Sequence, residues 1–334
     1  MARRLVLIGN GFDLAHNLPT GYLDFLKWYV LRHLKEAFYH ESKHYNDRNI
    51  ECWCSLYPEH LEMVACDQFS KSIRDLRGTN NLPYRLKFRN NFFESLYSTT
   101  KERWVDIEMD YYNELRRLAN SSTNGGLEGA YRLQDEFTSV KKYFGQYIGE
   151  KVMPLICKGD INKVFDSFFS ELTENDLILN FNYTDLPQRY RTKLGLGFEV
   201  FNIHGDLRQI NEEIVFGFGD ERDEFYSKIE NLNDNRLFEH VKSFSYLKNR
   251  IYSDLERYIN QGQYNVETIG LSCGISDRTL LSHIFEHPNC QSIRIYYYKD
   301  YRNYRQITME ISRHFRDKTT MRRKVLSFCP QASE

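Results

Sequence analysis

Seven cysteines, at 52, 54, 66, 157, 273, 290 and 329, are odd in number and lack framework spacing. That pattern excludes a disulfide-stapled secreted module and predicts a reducing, cytoplasmic setting. No stretch approaches the roughly 18 apolar residues of a membrane span. The apolar run after Arg3 and Arg4 ends after about five residues, short of a secretory h-region. Neither sign of charge dominates: 45 Lys and Arg against 46 Asp and Glu leave a formal net charge of -1, which gives the whole molecule neither a polyanion-binding field nor an acidic coat. No fixed-period repeat is visible. What is present is a globular composition, 41% hydrophobic and 15% aromatic over 334 residues, enough to build the core of one large domain or two ordinary ones.

Short β-rich runs at 4–8, 176–181, 199–203, 213–218, 266–271 and 292–298 read as strands. Their near-continuous apolar character suits a parallel sheet covered on both faces. The class is therefore α/β with a Rossmann-like, mostly parallel sheet. Between the first two strands the sequence reads as helical, with helices near 22–48, 59–76, 88–119 and 127–150 separated by RGTNNLP and NSSTNGG. This predicts a nucleotide-binding core from 1–21 and 176–310, an all-helical insertion over 22–175, and a basic C-terminal segment over 311–334. Residues 291–334 carry ten Lys or Arg against four Asp or Glu, with tyrosines interleaved in RIYYYKDYRNYR. Such a segment either follows a nucleic-acid backbone or, as the reading favoured here, is an edge strand followed by a solvated helix.

The stretch LVLIGNGFDLAHNLPT delivers a strand into a glycine turn and then a helix start. Backbone N–H groups of such a turn converge on one spot, which makes Gly9, Asn10, Gly11 and Phe12 a candidate phosphate cradle. The pattern G-x-G-x-x-L lacks the third glycine of the dinucleotide fingerprint, and this disfavours an ordinary dehydrogenase. Asp13 would repel a phosphate, so it either caps the helix or bonds sugar hydroxyls or water. Thr20 reads as the cap of the next helix and His16 as a packing residue. LNFNYTDL places Asn180, Asn182 and Thr184 where a buried strand stops, and FNIHGDL does the same for His204 and Gly205. Ligands of open α/β sheets bind beyond the carboxyl ends of strands. VFGFGD contributes Gly217, and IGLSCGISD contributes Gly270, Ser272, Ser276 and Asp277 as a further anion or ribose cradle.

In this order GNGFD, FNYT, IHG, FGFG and GLSCGISD resemble the AbiH family of bacterial abortive-infection (anti-phage) proteins, over essentially the whole chain and including WVDIE at 104–108. Leu271 departs from the resemblance, which leads one to expect histidine there. More remotely, the same order is similar to sirtuin-like NAD-binding domains. That likeness implies Gly9 and Gly11 against a pyrophosphate, Asn182 orienting the nicotinamide ribose or a water, His204 as general base, and Ser272 on a ribose or phosphate. Thr184 and Asp13 stand where sirtuin-like proteins offer Asp and Ser. The two Cys-x-x-Cys pairs of a sirtuin zinc ribbon are missing, so no zinc and no other metal is expected.

The resemblance implies an NAD glycohydrolase, with NAD as substrate and water replacing nicotinamide at the anomeric carbon. Asn182 and His204 would position and deprotonate the water, with Asp13, Asp106 or Glu108 supporting the developing positive charge. A free-running NAD hydrolase would poison its own cell, so restraint is expected through homo-oligomeric assembly, a phage-derived trigger, or the insertion acting as a lid. Two alternatives stand beside this one. In the first, a nuclease or phosphotransferase binds Mg²⁺ through Asp13, Asp185, Asp206 and Asp220. In the second, a non-catalytic sensor binds NAD or a related nucleotide.

Overall fold

Leu5, Val6, Leu7 and Ile8 are completely buried and form the end of strand β1 (Arg3–Ile8). The computed structural model describes residues 3–61, 83–98, 104–121, 125–158, 163–207 and 214–329. They divide into two compact units, one of Met1–Thr20 with Ile148–Glu334 and one of Gly21–Tyr147.

In the first unit β1 is the centre of a five-stranded sheet with β5 (Leu177–Asn180), β6 (Glu199–Asn202), β7 (Tyr264–Ile269) and β8 (Cys290–Tyr296). The order is β6-β5-β1-β7-β8 and every pairing is parallel. Within the sheet the chain runs 3-2-1-4-5, so winding reverses between β1 and β7, the position at which open sheets leave a crevice. Burial follows the same logic. All of β5 and nearly all of β1 and β7 are inaccessible, whereas the edge strand β8 alternates, as a strand covered on one side does.

The run expected as a strand at 213–218 is not one. Over its described residues, 214–218, it makes a single bridge, between Phe218 and Val241. Its amides serve three different segments: Val215 N donates to His204 O, Phe218 N to His240 O and Gly219 N to Ser276 O. A strap that changes partner at each step cannot form a ladder. Gly217 is there because a Cβ would lie 2.0 Å from the His240 carbonyl.

The basic C-terminal segment folds back on the sheet. Helices Tyr301–His314 and Lys318–Lys324 lead to Val325, which bridges Ile293 of β8 and so shields part of that edge. Tyr297 and Tyr304 are buried while Tyr298 and Tyr301 face solvent. Among the described residues no helix is long and apolar enough to cross a membrane.

The second unit is not all-helical. Helices Tyr22–Tyr39, Asn91–Ser98, Trp104–Ala119 and Gly125–Tyr147 accompany an antiparallel sheet of β2 (His44–Asn46), β3 (Ile50–Cys54) and β4 (Tyr84–Phe88). β2 falls at the end of the helix expected at 22–48, whereas β3 and β4 lie between expected helices, where the period-two alternation of IECWC and YRLKF marks strands. Residues 58–61 are helical, and the remainder of the helix expected at 59–76 lies outside the described residues. The first helix is capped at Gly21 with no side-chain hydrogen bond, so Thr20 does not supply the expected cap. An aromatic core with Tyr29 stacked on Phe93 at 4.3 Å and Phe25 edge-on to Phe144 at 5.6 Å holds this unit together.

Candidate active site at the carboxyl ends of the parallel strands

The chain leaves β1 through Gly9 and leaves β7 through Gly270, and the two turns interlock. Gly9 N donates to Ile269 O at 3.0 Å and Gly11 N to Gly270 O at 2.9 Å. A Cβ on Gly9 would lie 2.6 Å from Leu271 Cα, one on Gly11 2.8 Å from Gly270 Cα, and one on Gly270 2.2 Å from Phe12 N. The close approach these glycines permit is therefore backbone to backbone. With Phe12 N donating to Gly9 O, three amides expected to face a phosphate are already bonded within the protein. Leu271, the residue departing from the family pattern, is buried against Gly9.

Asp13 neither caps nor faces away. It lies in the first turn of helix Asn10–Ala15, whose cap is Gly9, and it is 1% exposed. Its Oδ1 accepts from Asn182 Nδ2 at 2.9 Å and from Thr184 Oγ1 at 2.9 Å. Burial pushes this carboxyl up to about 7, against the Thr184 and Asn182 hydrogen bonds that favour the ionised form, with a further upward push from Asp185. Asn182 is fixed in turn, its Nδ2 also reaching Gly9 O at 3.0 Å and its backbone N–H donating to Asn180 Oδ1. Both amide hydrogens are thus engaged, and among the described residues Oδ1 accepts no hydrogen bond. Behind it Asn180 Nδ2 donates to Asn202 Oδ1, and Asn202 Nδ2 to Asp206 Oδ2. This row of amides ties the ends of β5 and β6 together.

His204 follows β6 and turns back over β5. Its Nδ1 lies 2.9 Å from Phe181 O and its Nε2 3.0 Å from Asp277 Oδ1. Both ring nitrogens are thus engaged, one by a main-chain carbonyl and one by a carboxylate. Lys242 Nζ at 2.9 Å and Tyr246 OH at 3.2 Å donate to the same Asp277 oxygen. Burial alone would raise the Asp277 carboxyl. The charges and hydrogen bonds of Lys242 and His204 outweigh it and hold the group well below the usual carboxylate range. Among the described residues no hydrogen bond reaches Asp277 Oδ2, and buried Ser276 Oγ has no partner. In the intervening loop Cys273 adopts a left-handed φ of 53°, and its carbonyl is held by His314 Nε2 at 2.8 Å.

Direct contacts thus join Gly9, Gly11, Phe12, Asp13, Asn182, Thr184 and Gly270 in one group and His204 and Asp277 in a second. Gly217 belongs to the adjoining strap, and Gly205 takes a φ of 99° beyond His204. Ser272 is half-buried next to Leu271 and Cys273. Asp106 and Glu108 belong to helix Trp104–Ala119 of the other unit. Glu108 is buried there, and the Asp106 side chain lies outside the described residues. His16 is a packing residue, bonded to Phe12 O and Tyr190 OH. Of the four acids of the Mg²⁺ reading, Asp185 lies near enough to Asp13 to raise its carboxyl, and Asp206 accepts from Asn202. Asp185 pairs with Arg189 at 2.9 Å and Asp220 with Arg278 at 3.0 Å, and among the described residues no group of three or more His, Cys, Asp or Glu is arranged to hold a metal. Lys242 and Tyr246 were not foreseen. Each is one of many lysines or tyrosines, in a short helix without a motif.

A search of curated proteins finds no match. Residues 5–299 match the family described as bacteriophage abortive infection AbiH, a span that takes in both units and every strand of the parallel sheet, and the chain belongs to that family.

Proposed function

We propose that this protein serves the abortive-infection response by hydrolysing the nicotinamide–ribose bond of NAD at the carboxyl edge of the parallel sheet. The observation that carries the reading is Asp13, a buried carboxyl at the winding reversal pushed up to about 7 and aligned by Asn182 and Thr184. A group poised there takes a proton efficiently at neutral pH. The open acceptors nearby suit a ligand rich in hydroxyls. Asn182 Oδ1 and Asp277 Oδ2 have no donors, and Ser276 Oγ is an orphan.

Water attacks the anomeric carbon and passes a proton to Asp13. The C–N bond breaks with its electron pair going to the pyridinium nitrogen, which neutralises the leaving nicotinamide and leaves ADP-ribose. Ionised Asp13 also favours the oxocarbenium-like transition state electrostatically. Both nitrogens of His204 are engaged, so in this conformation the ring positions Asp277, and Asp13 is the base. Lys242, 1% exposed, shares that positioning. The likeness to sirtuin-like domains supports the choice of NAD.

Purified protein incubated with NAD should release nicotinamide, and Asp13→Asn should lower the rate at least a hundredfold without unfolding the chain. Equal release by the variant removes Asp13 from the chemistry. The burial of Asp13 also favours a second reading, a sensor that binds without turnover. Calorimetric binding of NAD with no nicotinamide formed would establish that instead.

A further inference from the structure

The antiparallel sheet of the second unit has one buried and one open face. Ile50, Cys52 and Cys54 of β3 point inward. On the other face the register aligns His44, Trp53 and Arg85 in one row and Asn46, Glu51 and Lys87 in the next. Trp53 is 38% exposed, and its ring is stacked on His44 at 4.7 Å. Arg85, Lys87 and Arg89 are exposed at alternate positions, so they form a line of cations about 7 Å apart along one side of the tryptophan. The only acid in these rows, Glu51, is already drawn to Arg89 at 3.3 Å and His44 at 3.4 Å. Trp53 also lines a cleft of about 230 Å³ together with Lys43, Ser55, Pro83, Tyr84 and Arg85.

We propose that this face binds single-stranded nucleic acid, one base stacking on Trp53 or entering the cleft while the phosphates run along Arg85, Lys87 and Arg89. An exposed aromatic on a sheet, flanked by a line of positive charge, is the arrangement by which sequence-tolerant single-strand binders work. This line of positive charge complements a polyanion, and the exposed ring beside it suits one that carries bases as well as negative charge. The proposal is independent of the chemistry assigned to the parallel sheet.

The test is fluorescence anisotropy of the full chain with a labelled oligothymidylate of about a dozen nucleotides, at several salt concentrations. Binding should weaken with salt. Trp53→Ala should reduce affinity about tenfold, with Trp53→Phe retaining most of it and both variants melting like the parent. Lys87→Gln should lower the slope of log affinity against log salt by about 0.7, the signature of one lost phosphate contact. No binding by the parent, affinity unchanged in Trp53→Ala, or competition by thymidine monophosphate as effective as that by the oligomer would overturn the proposal.

Discussion

At the scale of single residues, Asp13 concentrates the conflict between stability and chemistry. Its pKa is raised from 3.8 to about 7, so between those values the folded chain keeps a proton that the unfolded chain has released. Its contribution is therefore fully present below about 3.8 and is lost as pH rises through about 7, on the order of 4 kcal/mol in all. Asn182 and Thr184 both bond Oδ1, and an asparagine oxygen at this position can keep both bonds. Urea denaturation should accordingly find Asp13→Asn close to the parent at pH 4 and more stable at pH 8. A variant equally stable or less stable at pH 8 would mean that the carboxyl is not held at the cost its burial implies.

At the scale of elements, the basic C-terminal helix has a structural task. Lys324 is buried, and its Nζ donates to Phe285 O at 2.9 Å and His287 O at 2.8 Å. It thereby satisfies carbonyls at the end of helix Arg278–Glu286, where the helix dipole also favours a cation. Lys324→Met should cost about 2 kcal/mol and lower the melting temperature by roughly 4–8 °C, while exposed Arg323→Ala should leave it unchanged. Elements of this kind were partly legible from sequence. β1 and β5 carry near-continuous apolar runs, and four of the five parallel strands end in or run into Gly or Asn, a pattern that survives without tertiary information. β2–β4 were read as helix or linker because each is short and their period-two alternation sits among helical segments. The strap at 214–218 passes for a strand by composition, and only its changing hydrogen-bond partners separate the two. Of the candidate site, Asn182, His204 and Asp277 were visible because they terminate or follow strands. Lys242 and Tyr246 reach Asp277 across 35 and 31 positions, a distance no local pattern encodes.

At the scale of the molecule, the α/β unit is discontinuous in sequence and the other is a single stretch, Gly21–Tyr147. The latter has its own aromatic core and its own sheet, and its length is that of an ordinary autonomous domain. Expressed alone, residues 21–147 should melt cooperatively and show a helix-dominated circular dichroism spectrum. A featureless melt would show that this core depends on the remainder of the chain.

Where the turn at Gly9–Phe12 meets the turn at Gly270–Leu271, main chain rests on main chain, with the Leu271 side chain packed against Gly9. Asp13 follows one half of this joint directly, and Ser276 and Asp277 lie a few residues beyond the other. Contact this close leaves little slack between the two strand ends, so a displacement of one is passed to its neighbour, and two segments encoded about 260 positions apart are mechanically one.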